Sequence, residues 1–378
     1  MPALTNDIDI KEVSDGALLR RYIHLPAGIY KDYLNWVPPV YIDERKFHNP
    51  KTNAALAYAE VKRWLAFVGN KPAGRIMGII HHKYNERQGE KAVRFFQLDC
   101  VNDRNVSRAL INTVASWGRE KGMTQIIGPY GFSDKDPQGL QVEGFEHLPV
   151  IATPTNPPYL QQLVEDEGFE KKLDCVSYRI NVPEQIPELY EKIHERMCRN
   201  NQLRLLEFTS KRQFKQWIIP VFRLVNETFT PLYGFSPMSE TEMRNMAAQY
   251  MPVLDPDFVK VVVNGKNELV AFAVALPDMS SGIQKANGKV FPFGFIHMLS
   301  AARKATQLDM MIGAIKQSHR GIGLNVLMGT AILKAAIRRN FKTIDSHLVL
   351  ETNTAMCGEY EKLGGKIYKR YRIYGKWL

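Results

Sequence analysis

The sequence predicts an α/β (α+β) protein in which a mixed central sheet flanked by helices is built twice in one chain. Three observations carry this expectation. Short β-rich runs alternate with helical runs along the whole sequence, and the same order of elements occurs in the first half and again in the second. Each half holds two apolar β-rich runs around a tight turn, Gly69-Asn70-Lys71-Pro72 and Asn264-Gly265-Lys266-Asn267, the pattern of a hairpin. A chain of 378 residues also exceeds what one ordinary core organises and suits two domains. With a boundary near Pro183–Pro187, the expected division is 1–185 and 186–378.

In the first half, residues 60–82 form the hairpin, with His81 and His82 at its end. Neighbouring strand residues point to opposite faces, so one histidine is expected buried and the other exposed, and no shared metal. Residues 92–103 are strand-like. Residues 104–123 place Val106, Leu110, Val114 and Trp117 at helical spacing, and Lys121-Gly122 supplies a terminal cation and a stop. A strand at 124–133, a short helix at 159–169 and a strand at 171–183 complete the half.

The second half repeats the order. Residues 211–229 and 239–250 read as helices, and 258–278 as the hairpin. The stretch 288–294 opens an apolar helix with a basic edge at Arg303-Lys304. Residues 307–317 are a strand. Residues 323–339 form a helix with Leu327, Ala331 and Leu333 toward the core. Residues 341–353 are a strand, 354–365 a short helix, and 366–377 a last strand. Little identity links the halves, so the duplication rests on element order.

Composition narrows the function classes. Hydrophobic residues make up 45% and charged residues 24%, the balance of a folded globular chain. No apolar run approaches the roughly 20 residues of a membrane-spanning helix, and the polar, acidic start argues against a secretory signal. Four scattered cysteines without a Cys-x-x-Cys pair point away from a structural zinc site or disulfide framework. The expectation is a cytoplasmic, metal-free protein, at most peripheral to the inner membrane. The net charge of +11 calls for an anionic partner. It is dispersed, with no nucleic-acid-binding motif around it, so a CoA pocket or a membrane-facing surface accounts for it better than nucleic acid does.

The chemically informative stretch is Gln317 to Asn325, between a strand and a long helix. Glycines at 321 and 323 let backbone N–H groups approach an anion, the helix N-terminus adds partial positive charge, and Arg320 adds a full one. A Gly-x-Gly also simply turns corners. Asn353 follows the next strand, and seven residues later comes Tyr360-Glu361-Lys362-Leu363-Gly364. The carboxylates nearest this region are Asp345 and Glu351, which share strand parity and would face one side; His297 and His347 are further candidates, and each carboxylate alone also reads as a surface charge. The first half has no such loop. It reads Asp99 to Asn105 there, with acids that repel phosphate.

These two motifs, in order and separated by one helix and one strand, resemble the GNAT N-acyltransferase superfamily. Arg320, Gly323 and Asn325 occupy the places of its pyrophosphate loop, with Asn325 departing from the usual small final residue. Asn353 to Gly364 match its later segment, with Gly365 in place of an aromatic residue. Across nearly the full length, Asn35–Pro39, Gly128-Pro129, Val142–Phe145, Asn156–Tyr159, Leu276–Asp278, Phe291–Gly294 and Gly364–Tyr374 resemble a group of bacterial two-domain (tandem) GNAT-like proteins, some of them placed in sphingolipid N-acylation.

The resemblance implies a degenerate N-terminal GNAT-like domain and a C-terminal GNAT domain carrying the acyl-CoA loop. It implies direct attack of a primary amine on acetyl-CoA or a longer acyl-CoA. In that scheme Arg320, Gly321, Ile322, Gly323, Leu324 and Asn325, with Asn353, hold the pyrophosphate end. Ile315 borders the pantetheine, Tyr360 protonates the departing thiolate, and Asp345 or Glu351 serves as base. Tyr360 also reads as a core-packing residue. The expected partners are a CoA thioester and a small-molecule or lipid amine acceptor. Residues 290–299 with Arg303-Lys304 read first as a core helix under a loop, and also suit a membrane interface. The glycine-, proline- and aromatic-rich stretches 128–145 and 154–159 read either as structural cover or as part of a substrate site. Two other classes carry distinct expectations: a non-catalytic acyl-CoA-binding module keeps affinity when Tyr360 is removed, and an aminoacyl or peptidoglycan-type transferase using RNA binds it with strong salt dependence.

Overall fold

The two hairpins found in the sequence lie on opposite sides of one continuous fourteen-stranded sheet. The computed structural model describes residues 8–199 and 202–378. The first half runs β1 (Ile8–Glu12), α1 (Gly16–Ile29), α2 (Tyr41–Phe47), β2 (Glu60–Val68), β3 (Lys71–Ile80), α3 (His82–Gln88), β4 (Ala92–Cys100), α4 (Arg104–Glu120), β5 (Gln125–Gly128), β6 (Leu140–Glu143), α5 (Tyr159–Glu165) and β7 (Glu170–Asn181). The second runs α6 (Glu188–Cys198), β8 (Leu203–Leu206), α7 (Lys211–Phe214), α8 (Ile218–Phe229), α9 (Glu240–Tyr250), β9 (Val259–Asn264), β10 (Leu269–Pro277), α10 (Ser280–Lys285), α11 (Gly294–Lys304), β11 (Gln307–Ile315), α12 (Leu324–Arg338), β12 (Thr343–Asp345), β13 (Val349–Leu350), α13 (Thr354–Lys362) and β14 (Lys366–Trp377).

Each half is a sheet packed between helices, as the alternating pattern predicts. In the first half α4 buries Val106, Leu110, Val114 and Trp117 on one face, and α1 and α2 bury Tyr22, Ile23 and Tyr41 on the other. In the second, α12 buries Leu327, Ile332 and Leu333 on one face, and α8 and α9 bury Leu224, Val225 and Met243 on the other. Local signals set the helix starts. Asp103 caps α4 by accepting the Asn105 amide (2.8 Å), and Ser239 with Glu242 forms a capping box at α9.

The halves exchange their last strands. The first half's β7 pairs with β12 and β13 of the second, while the second half's β14 pairs with β5 of the first and with β7. Within each half the inner pair is parallel and short: Ala92–Arg94 against Gln125–Ile127, and Gln307–Asp309 against Thr343–Asp345. Two strands that are antiparallel to their outer neighbours but parallel to each other part company beyond these three residues. That parting positions the candidate site.

Several expectations are corrected. The expected helix at 211–229 breaks into α7 and α8 around a 3-10 turn, because Pro220 has no amide to donate and fits only in the first turn of α8. The strand expected at 124–133 ends at Gly128, where Pro129 has no amide for the ladder. His81 and His82 lie past the end of β3: His81 is buried and accepts the Tyr84 amide (3.1 Å) at the start of α3, and His82 is exposed. The strand expected at 341–353 is broken into β12 and β13 by Ser346–Leu348, with His347 in the left-handed region (φ 57°).

Candidate active site

The loop between β11 and α12 is built by glycine. Gly321 (φ 77°) and Gly323 (φ 103°) both take left-handed backbone, which side chains resist, and Gly323 is the residue from which α12 starts. It rests on Ile193 and Met197 of α6. No amide from Gly321 to Asn325 donates to a backbone acceptor in the loop, so a row of donors at the helix N-terminus is free for an anion. Arg320 is exposed and its Nε donates to the Ile315 carbonyl (3.3 Å), which holds the guanidinium over the end of β11. Ile322 is exposed and Leu324 buried. The Asn325 side chain donates to Glu359 of α13 (2.5 Å), tying the start of α12 to the body of α13. Asn353 caps α13 by accepting the Met356 amide (3.3 Å).

Beyond Asp309, β11 makes no pairing toward β12. The chain after Asp345 turns to β7 instead, where the Ser346 amide donates to the Tyr178 carbonyl (3.0 Å). A bulge at Met311 bends β11 at the same level, since Ile312 pairs with Val274 but Met310 with Ala275. The result is a V-shaped opening, closed at its apex by Asp309 and Asp345, with Ile315 at the end of one arm and the glycine loop beyond it.

At the apex lies a buried polar cluster. Asp309 Oδ1 accepts from Gln307 (2.9 Å), while its Oδ2 has no partner. Burial, reinforced by the neighbouring Asp278 and Asp345, holds its pKa well above the ordinary carboxylate value. Asp345 accepts from the His347 amide (2.5 Å) and from the Tyr368 hydroxyl. Lys369 is buried, donates to the Leu148 carbonyl (2.6 Å), and has its pKa lowered by burial against the pull of Asp345 and Asp309. His347 donates from Nε2 to the Ile151 carbonyl (3.0 Å), and burial lowers its pKa too. Arg179 stacks on the Tyr368 ring at 4.1 Å. The first half thus contributes Leu148 and Ile151 to a cluster centred in the second.

Tyr360 is buried in the core and stacks on Tyr178, ring centroids 5.7 Å apart. Burial, and then Asp345, raise its hydroxyl pKa, so the hydroxyl stays protonated and lies within electrostatic reach of the apex. Glu351 is elsewhere. It accepts from Lys171 (2.8 Å) and from the Asp174 amide (3.1 Å). The shared parity expected for Asp345 and Glu351 does not hold. Asp345 lies opposite Arg179 but Val349 lies opposite Val176, so one extra residue has entered between them and side chains beyond it point to the other face. A cleft of about 320 Å³ on that helix-bearing face includes Glu351, Cys357, Gly358, Glu361 and Arg370, and contains neither the glycine loop nor the carboxylate apex. His297 lies on α11, outside the cluster.

The residues not anticipated from sequence are Asp309, Tyr368 and Lys369. Their signal was present but faint: a lone acid in an apolar strand, and a lysine between Tyr368 and Arg370 in another. Among the described residues no group of three or more His, Cys, Asp or Glu is placed to hold a metal, and no helix is long and apolar enough to cross a membrane.

Comparison with known proteins agrees on the fold. No family model matches the chain. It is 29% identical over 382 aligned positions to the bacterial ceramide synthase of Caulobacter vibrioides, covering 98% of each. It is 27% identical to protein YghO of Escherichia coli, covering 95% of this chain and 92% of that one. Among solved structures it superposes on a tandem GNAT protein from the clavulanic acid biosynthesis pathway with a TM-score of 0.56, 13% identity and 98% of both chains covered. A GCN5-related N-acetyltransferase from Sphaerobacter thermophilus gives a TM-score of 0.50 at 12% identity, covering 98% and 95%. The chain has the tandem GNAT fold.

Proposed function

We propose that this tandem GNAT chain is an acyl-CoA-dependent N-acyltransferase whose acceptor is a primary amine on a long-chain lipid. The observation that carries the reading is the V-shaped opening of β11 and β12, with free amides and Arg320 at its mouth and two buried carboxylates at its apex. The second half is then the catalytic domain, and the first half shapes the acceptor side through its 145–153 loop. The likeness to a bacterial ceramide synthase over 98% of both chains supports a lipid amine as acceptor and peripheral work at a membrane.

When bound, acyl-CoA supplies the acyl group as a thioester, whose carbon–sulfur bond is exchanged for a carbon–nitrogen bond to the amine. The amides of Gly321 to Asn325 and the Arg320 guanidinium suit its pyrophosphate, and the unpaired edge of β11 up to Ile315 suits the amides of its pantetheine arm. An amine arriving as ammonium must shed a proton, and Asp345 takes it. Asp309, held toward its uncharged form by burial, leaves Asp345 as the acceptor of that proton. Tyr360, kept protonated, gives its hydroxyl proton to the departing sulfur. Lys369, Tyr368 and His347 hold Asp345 in place. Glu351, on the other face with Lys171, secures the turn into α13.

The test is release of free thiol from acetyl-CoA and from a long-chain acyl-CoA, each offered a long-chain amino alcohol, a polyamine and an amino sugar. Amide formed only with the long-chain amine is the expected result. Tight CoA binding without thiol release for any acceptor would instead make the chain a binding module.

A further inference from the structure

The hairpin of α10 and α11 packs closely at small residues and buries Ile283, but leaves the large apolar side chains of 291–299 outside. Small residues face inward: a Cβ on Gly282 would meet the His297 carbonyl at 2.6 Å and the Ala301 methyl at 2.8 Å. Large apolar residues face solvent. Phe291 is 70% exposed, Phe293 68%, Ile296 50%, Leu299 45% and Phe295 42%. A residue remote in sequence joins them. The Gln284 side chain donates to the carbonyls of Leu34 (2.8 Å) and Trp36 (3.0 Å), which holds Leu34, 88% exposed, beside the hairpin. Folding thus assembles two distant segments into one apolar patch, larger in side chains than scattered surface residues would give.

On the hairpin the charge has one sign, while Lys31 and Asp32 are both exposed near Leu34. Lys285, Lys289, Arg303 and Lys304 are exposed on the hairpin, and no Asp or Glu occurs between Asp278 and Asp309. Exposed phenylalanines with four cations on the same hairpin match a surface that is apolar in depth and anionic at its headgroups. The hairpin joins the end of β10 to the start of β11, so the patch is anchored beside Asp309, at the apex of the opening.

We propose that the Phe291–Leu299 segment, with Leu34, is inserted into the interface of an anionic lipid bilayer, and that Lys285, Lys289, Arg303 and Lys304 contact its headgroups. This gives a location to the peripheral contact in the reading above, and it stands or falls separately from the transferase activity. An acceptor lying in that bilayer would reach the carboxylates without leaving the lipid.

Flotation of the full chain with vesicles tests it, comparing phosphatidylglycerol mixed with phosphatidylcholine against phosphatidylcholine alone. Wild type is expected to float with the anionic vesicles and to be released by high salt. The paired change Phe291→Ser with Phe293→Ser is expected to lower the partition coefficient by about tenfold or more, and Leu34→Ser alone to lower it measurably. Arg303→Glu with Lys304→Glu should abolish the preference for anionic vesicles. All three sets alter exposed side chains, and unchanged CoA binding verifies the fold. Failure of wild type to float, or flotation indifferent to the serine changes, overturns the proposal. So does sedimentation showing a lipid-free dimer that the serine changes dissociate, because the patch would then be covered by a second copy.

Discussion

The two halves put a basic and an acidic side chain at the same structural position. Arg94 and Asp309 are each the third residue of the inner strand and the last to pair before the strands part. Arg94 is engaged within its own half, although its Nη2 has no hydrogen-bond partner. Its guanidinium lies between the Tyr84 and Tyr130 rings at 4.3 and 4.6 Å and donates to the carbonyls of Gly131 and Phe132. The Tyr130 amide then bonds to the Phe95 carbonyl, stitching the strands further. Asp309 keeps an oxygen without a partner, and its strands are not stitched. The connections differ as well: Val101–Asp103 passes directly into α4, while Lys316–Gly323 makes the glycine loop before α12. One scaffold, once filled and once left open, separates what the fold requires from what a site requires.

The comparison breaks most readily at Asp345. Asp345→Asn is expected to lower kcat by about 10²–10⁴-fold with CoA affinity unchanged. Arg94→Met, its counterpart test in the first half, should cost about 2–3 kcal/mol of stability by denaturant titration and leave kcat per folded molecule nearly intact. Loss of turnover in well-folded Arg94→Met protein would make both halves functional. Next, Tyr360→Phe should cost roughly 10²-fold in kcat while the melting temperature barely moves, because the ring that packs on Tyr178 is retained.

A smaller effect is expected at the loop. Arg320→Glu should weaken CoA binding by about 10- to 100-fold in calorimetry. Asp103→Ala, at the matching connection of the first half, should cost only about 1 kcal/mol of stability as a lost helix cap. A further effect concerns pH. Because the folded-state pKa of Asp309 is raised, its contribution to stability is present at low pH and lost as pH rises through that value. Asp309→Asn removes this dependence, so its stability relative to wild type should improve with rising pH, by about 1–3 kcal/mol at the alkaline end. Melting curves across pH decide it, and a variant whose stability relative to wild type stays level or falls as pH rises would place the charge elsewhere.

How much was legible in sequence follows from the range of the forces involved. The glycine loop, the helix caps and the two hairpins are local, and each was readable from neighbouring residues. The carboxylate apex was half visible. Asp345 stood out near the loop, but Asp309 gains meaning only when β11 is laid beside β12, and Lys369 only when β14 crosses to reach them. The face on which Glu351 lies was misread because a single extra residue near His347 reverses strand parity, and no propensity marks a histidine for left-handed backbone strongly enough. Phe291 and Phe293 suited a core as well as a surface, since apolar periodicity does not reveal which side has a neighbour.

The exchange of last strands sets an order of events during synthesis. The first half leaves the ribosome with β5 lacking a neighbour that lies near the far end of the sequence, and β7 meanwhile lacks both β14 and β12. Until β14 emerges, two strand edges stay open to wrong partners. Neither half can therefore be a finished folding unit, and cutting the gene at the link between them would yield two fragments, each missing a strand that the other carries.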